Sequence, residues 1–106
     1  VRRRAAKVDA NHGVFVETLE RLGAQVRDTS NIGEGFPDLL VLWRKQLFLV
    51  EIKNPNEATK EQVADPDHLG MLTPSQLKMR AAWPVVVALT AAEAARKMDA
   101  LLEVAA

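Results

Sequence analysis

The sequence predicts an α/β domain with a mixed central sheet flanked by helices on both faces. Three observations carry that expectation. Two strongly apolar runs of strand length, residues 36–43 and 47–53, are separated only by Arg44-Lys45-Gln46. Their alternate residues are apolar on both sides: Leu40, Leu42, Leu47 and Leu49 on one face, Leu39, Val41, Phe48 and Val50 on the other. A sheet that is greasy on both faces needs helices on both sides. Finally, two helix-start signals, Thr73-Pro74-Ser75-Gln76 and Thr90-Ala91-Ala92-Glu93, bracket another apolar run, Val85-Val86-Val87-Ala88-Leu89.

Taken in order, residues 1–8 form a basic arm, expected to be frayed. Asp9 caps a helix running to about Leu22, ended by Gly23 in the left-handed conformation. Phe15, Leu19 and Leu22 recur at helical spacing and make its buried stripe, with Val8 and Val26 just outside it. Extending the stripe backwards reaches Asn11 and His12, whereas Glu17 and Glu20 turn outward. Residues 24–28 are a short β-compatible stretch. Gly33 and Gly35 make a flexible loop before Pro37, which is tolerated at a strand's start because its missing N–H costs little there.

Residues 54–72 form a long polar connection without periodicity, expected to be a flexible loop over whatever lies at Lys53. Thr73 as N-cap, Pro74 at the first helical position and Gln76 in a capping box start a helix that ends near Trp83-Pro84. Residues 85–89 are a buried strand. The last helix turns Ala94, Met98, Leu101 and Leu102 inward. Trp43 and Trp83 read as core, His12 and His68 as surface or helix-start histidines. Neither an internal repeat nor a boundary interrupts the pattern, so residues 1–106 make a single domain.

Composition narrows the function classes. Without cysteine there are no disulfides, no thiol catalysis and no cysteine-based zinc site. No run is long enough to span a bilayer and no signal-peptide pattern opens the chain, so the expectation is a soluble, cytoplasmic protein without membrane partners. Fourteen basic and fourteen acidic residues cancel, which argues mildly against a nucleic-acid binder but leaves room for local basic clusters. Such clusters occur at Arg2-Arg3-Arg4 with Lys7, at Arg44-Lys45, and at Lys78 with Arg80.

The chemistry-bearing residues lie in the two central runs. A hairpin centred between Arg44 and Lys45 pairs position 43 with 46 and sets Asp38 opposite Glu51. Side chains alternate along a strand, so Lys53 shares the face of Glu51 while Ile52 points the other way. Two facing acids in neighbouring strands repel, and a divalent cation would compensate them. Taken singly, Asp38 merely ends a strand, and Glu51 with Lys53 is an ion pair worth little. Together with the order of elements, they read as a metal site.

Pro37-Asp38, then Glu51-Ile52-Lys53 after a hairpin, then Gln76 in the next helix, in the order helix, strand, strand, strand, helix, strand, helix, resembles the PD-(D/E)XK nuclease superfamily. Within it, the small VRR-NUC domains of viral and bacterial replication-repair proteins are most similar. The resemblance spans roughly residues 9 to 102 and implies a restriction-endonuclease-like αβββαβ core. It also implies a Mg²⁺ ion held by Asp38, Glu51 and the backbone carbonyl of Ile52, with Mn²⁺ as a substitute and Lys53 orienting or activating water. Magnesium favours oxygen ligands, polarises phosphate and lowers the pKa of bound water. Such domains often add an acid on the inner face of the first helix. Here that place falls to Asn11, which can ligate through its carbonyl or hold a metal-bound water. Glu17 is the alternative if the helix is rotated, and one metal ion is expected.

The implied activity is a structure-selective DNA endonuclease leaving 5′-phosphates, a homodimer acting on branched DNA such as Holliday junctions or flaps, bacterial or phage-encoded. Candidate phosphate contacts are Arg3, Arg4, Arg44, Lys45, Lys60 and Lys78. Gln76 reads as a capping residue that also reaches the site. The competing class is a non-catalytic nucleic-acid-binding module on a nuclease-like fold, against which the complete Asp38, Glu51 and Lys53 set argues.

Overall fold

The computed structural model describes residues 2–105, with side chains described for residues 11–104. The chain runs α1 (Arg2–Arg21), β1 (Gln25–Asp28), β2 (Leu39–Trp43), β3 (Gln46–Ile52), α2 (Lys60–Ala64), α3 (Pro74–Ala82), β4 (Val85–Ala88) and α4 (Ala91–Ala105). Single 3₁₀ turns at Pro55–Glu57 and Leu69–Met71 flank α2. The four strands form one mixed sheet in the order β1-β2-β3-β4, antiparallel except for the last pair. The expected α/β class with a mixed sheet is what the chain adopts. Among the described residues no helix is long and apolar enough to cross a membrane.

The hairpin between β2 and β3 turns in two residues, and Trp43 pairs with Gln46. Arg44 and Lys45 both take positive φ, 49° and 69°, as the tight turns that match strand twist require. Neither is glycine, so the turn is held from outside. Arg44 Nε donates to Asp99 Oδ1 at 2.7 Å, and its guanidinium lies 4.9 Å from the centre of the Trp43 ring. Trp43 Nε1 donates to the same oxygen at 2.8 Å. A carboxylate from α4 thus clamps the tip of the hairpin.

One sheet face carries the core. Leu39, Val41 and Trp43 of β2, Val50 of β3, Val86 and Ala88 of β4, and Val26 of β1 form a single core with Phe15 and Leu19 of α1 and Ala91, Ala94 and Met98 of α4. The other face is covered only in part. There α3 lies against Val85 and Val87, whereas Leu40, Leu42 and Leu49 are half-buried and Leu47 is exposed.

Several expectations need correction. The helix expected from Asp9 begins at Arg2, because Arg, Ala and Lys are good helix formers and no Gly or Pro interrupts them; the side chains of residues 1–10, Val8 included, lie outside the described residues. Leu22 and Leu101 are exposed. Leu22 sits in the turn after α1 has ended, and α4 turns Ala91, Ala94, Met98 and Leu102 toward the core instead. Trp43 is core, but Trp83, the residue capping the C-terminus of α3, is 52% exposed.

Residues 54–72 are not a structureless loop. Thr59 and Gln62 form a reciprocal capping box that starts α2, a signal present in the sequence as Thr-x-x-Gln. Asp65 Oδ2 accepts from Leu69 N–H at 2.9 Å. His68, expected at the surface or at a helix start, opens the 3₁₀ turn Leu69–Met71 but is buried, its Nδ1 2.9 Å from the Gln62 carbonyl oxygen and its Nε2 2.5 Å from Glu93 Oε2. Lys97 bonds the carbonyls of Pro66 and Val87 and pairs with Glu93 at 2.9 Å. The segment is tied to α4 rather than left loose.

Two stability measurements check this packing. Leu19→Ala, at a fully buried position, is expected to lower unfolding free energy by about 2–5 kcal/mol, while Leu22→Ala changes it by under about 1 kcal/mol. Equal losses would place the α1 stripe wrongly. Lys45→Gly is expected to raise stability by roughly 1 kcal/mol in denaturant titration by relieving the positive φ; a loss there would mean that the turn is unstrained.

Candidate functional site

The constant register of the hairpin, extended one residue beyond the Leu39–Val50 pair, sets Asp38 opposite Glu51. Both follow the alternation of the partly covered face. Asp38 is anchored from three directions. Its carbonyl oxygen accepts from Thr29 N–H at 2.8 Å, the preceding Pro37 carbonyl accepts from Thr29 Oγ1 at 2.8 Å, and its own Oδ2 accepts from Ile52 N–H at 2.8 Å. The carboxylate therefore takes a backbone donor of β3 at the open end of the hairpin.

Glu51 is buried. Its Oε2 accepts from Gln76 Nε2 at 3.0 Å and lies 3.5 Å from Lys53 Nζ. Lys53 Nζ in turn donates to Gln76 Oε1 at 2.8 Å. Gln76 Oε1 also accepts from Thr73 N–H at 3.0 Å, completing the capping box of α3. One side chain thus caps a helix and ties together the acid and the lysine. The sequence expects both roles of Gln76, and the docking of α3 fixes the second.

That docking is helped by the glycine loop. Gly35 has φ 80°, and a Cβ there would meet the Ser75 carbonyl oxygen at 2.5 Å. The loop leading into Asp38 therefore lies directly on the first turn of the helix that carries Gln76.

Burial raises the pKa of both acids. For Glu51, desolvation first and the neighbouring Asp38 carboxyl second push it up to about 7, with Lys53 pulling the other way. Desolvation also raises Asp38, opposed first by the Ile52 N–H and then by the nearby His12 and Lys53. The two carboxyls are close enough to hydrogen-bond each other. Such a pair shares a proton or a cation. The donor chemistry fits a hard cation: oxygen ligands at adjacent strand ends, partly desolvated, with a protein donor already on Oδ2 of Asp38 and on Oε2 of Glu51. Among the described residues no three His, Cys, Asp or Glu side chains converge into a metal-holding group. A cation here would draw two carboxylates from side chains and its remaining ligands from backbone, water or substrate.

The other candidates are scattered. Glu17 is exposed and pairs with Arg21 at 3.5 Å, as its outward direction predicts. Asn11 is half-buried. His12, read as an ordinary helix-start residue, has Nε2 3.2 Å from Asp28 Oδ2, and they line an open groove with Glu17 and Glu20. Arg44 is engaged by Asp99. Lys45 is exposed at the hairpin tip, about 20 Å from the acids along β3. Lys60 and Lys78 are exposed on α2 and α3, and Arg3 and Arg4 lie outside the described side chains.

No protein-family model, curated protein or solved structure matches this chain.

The Glu51 environment has a definite pH consequence. Its pKa is about 4.5 when exposed and about 7 in the fold, so across that window the folded state binds the extra proton. Stability is expected to fall as pH rises from about 4.5 to about 7, by roughly 3 kcal/mol in all. Asp28, Asp65, Glu93 and Asp99 are shifted downward, so their contributions vanish only at more acid pH. Burial raises Asp38 too, so it adds to the decline at its acid end; denaturation of the metal-free protein should show the decline, and Glu51→Gln should remove most of it. A wild-type profile that is level or rising over this window would contradict the assignment.

Proposed function

We propose that this protein is a Mg²⁺-dependent endodeoxyribonuclease of the PD-(D/E)XK kind, similar to VRR-NUC domains, acting on branched or otherwise structured DNA. The observation that carries the proposal is the juxtaposition of two desolvated carboxyls, Asp38 and Glu51, beside the Lys53 ammonium at the open end of a buried hairpin. The element order and the parallel docking of β4 on β3 support the restriction-endonuclease-like form of the fold.

Asp38, Glu51 and the Ile52 carbonyl would hold the ion. When bound, it supplies neutralisation of the phosphoryl oxygens and a lowered pKa for the attacking water. The protein's own contribution is positioning and charge. Ile52 N–H fixes the Asp38 carboxylate. Gln76 fixes Glu51 Oε2 and Lys53 Nζ relative to each other. The ammonium then stands where it offsets charge growing on a scissile phosphate, a contribution worth most in a partly desolvated setting. Water adds to phosphorus, the P–O3′ bond breaks, and the 3′-oxygen leaves with a proton, giving a 5′-phosphate.

A domain of this size leaves little surface for reading bases, so selection by DNA shape and backbone fits better than a sequence code. A homodimer would supply two such sites for two strands of a junction. The exposed cations Lys45, Lys60 and Lys78 are the described candidates for phosphate contact.

Labelled four-way junction, flap, linear duplex and single-stranded DNA, incubated with Mg²⁺, Mn²⁺ or chelator, test the proposal. Cutting is expected with either ion and none with chelator. Asp38→Ala and Lys53→Ala should each lower the rate by about 10²–10³-fold or more. DNA binding without cutting by the wild type would favour the non-catalytic module, and cutting that survives Asp38→Ala would sink the site assignment.

A further inference from the structure

The helix that holds the site together also carries an aromatic residue that the core does not use. Trp83 ends α3 with about half of its surface exposed. Its ring is propped by Phe36, edge-on at 6.2 Å between centroids and 68° between planes, and Phe36 lies two residues before Asp38. Beside Trp83 is an open groove of about 460 Å³, lined by Glu34, Ser75, Lys78, Met79, Ala82 and Trp83.

Three features of this groove point to one kind of occupant. Its lining includes aromatic and aliphatic side chains, Trp83, Met79 and Ala82, chemically suited to a flat ring. Its polar groups include both signs of charge, a Lys78 ammonium for an anion and a Glu34 carboxylate for an N–H donor. An unpaired nucleotide presents that combination: a phosphate, a π-face and, in cytosine, adenine or guanine, an exocyclic amine. The third feature is continuity with Asp38 and Glu51. Met79 also borders the tightly packed space beside Glu51 and Gln76, which is too narrow for water, and Trp83 follows Gln76 by seven residues along one helix. That is about 10 Å of helix rise, or about three stacked base steps.

We infer that the groove formed by Glu34, Lys78 and Trp83 is a subsite for an unpaired nucleotide, its base stacked on Trp83 and its phosphate on Lys78, about three steps from the scissile bond. The inference rests on the reading of Asp38, Glu51 and Lys53 as a phosphodiester-cleaving site. It makes the preferred substrate one with a single-stranded arm beside the cut.

The test uses the whole protein in chelator, so that binding is read without cutting. Short oligodeoxycytidylate, oligodeoxythymidylate and a duplex of equal length are titrated while intrinsic fluorescence is followed. The chain has two tryptophans and Trp43 is buried, so quenching by single strands reports Trp83. Trp83→Phe should abolish the quench yet hold affinity, measured with a labelled strand, within about threefold. Trp83→Ala should weaken single-strand affinity by about tenfold or more and leave duplex affinity unchanged. Glu34→Gln should reduce the preference for cytosine over thymine, and Lys78→Gln should lower the salt dependence of binding by about one counterion.

Equal single-strand affinity of Trp83→Ala and wild type, with both variants shown folded by circular dichroism, would overturn the subsite. So would absence of quenching by any oligonucleotide. The two readings fail separately. Cutting in Mg²⁺ that needs Asp38 but is indifferent to Trp83→Ala on flaps and duplexes removes the subsite and leaves the nuclease. Quenching and Trp83-dependent binding without any cutting keep the single-strand subsite and remove the nuclease.

Discussion

The pairing of β2 with β3 governs the rest of the molecule. A two-residue turn leaves no slack, so every pair along the hairpin follows from Trp43 facing Gln46. A slip of one residue would turn either Leu39 and Val41 or Val50 to the partly covered face, depending on which strand moved, and would separate Asp38 from Glu51. The turn is built from Arg44 and Lys45, both at positive φ, so its stability is not intrinsic. The Asp99 carboxylate of α4, reached by both Arg44 and Trp43, holds it. The middle of the last helix thereby supports the register that brings the acids together at the opposite end of the sheet.

That register has an electrostatic cost. Glu51 is removed from water next to another carboxyl, and both acids are harder to ionise as a result. Lys53 and Gln76 offset part of this, and each depends on a different piece of the fold. Lys53 is placed by strand alternation and by its N–H bond to the Ala88 carbonyl. Gln76 is placed by the close approach of Gly35 to Ser75. Groups with strongly shifted pKa values gather at functional sites more often than elsewhere, and this pair of acids is such a group.

The segment between β3 and α3 plays a supporting part. Its buried His68 meets Glu93, and Lys97 bonds the Pro66 and Val87 carbonyls. Glu93 also accepts from Leu89 N–H at 2.7 Å, where an ordinary capping box would have returned it to Thr90. The start of α4 therefore anchors this long connection as well as its own N-terminus. Desolvation raises Glu93, but Leu89, Lys97 and His68 together hold it below the usual range. The connection is accordingly part of the framework on which α3, and with it Gln76, is set.

Much of this was legible in the residues themselves. Period-two alternation and a short polar break were enough to place Asp38 opposite Glu51, because strand geometry is local and the turn length is countable. The capping signals at Thr73 and Thr90 located two helices for the same reason, although Glu93 bonds Leu89 rather than Thr90, and that at Thr59 carried the same signal. What the sequence could not determine was which apolar or polar residue meets which neighbour. Helical spacing proposed Leu22 and Leu101 for the core, but α1 stops short of one and α4 turns the other away. Trp83 reads as core by composition, yet it sits where α3 ends. His68 reads as surface or helix start, yet a carboxylate twenty-five residues on draws it in. Gln76 reads as a cap that also reaches the site, and the docking of α3 decides that it bridges Glu51 to Lys53. Local patterns set the elements and the hairpin register; long-range packing alone decides which side chains are covered, and by what.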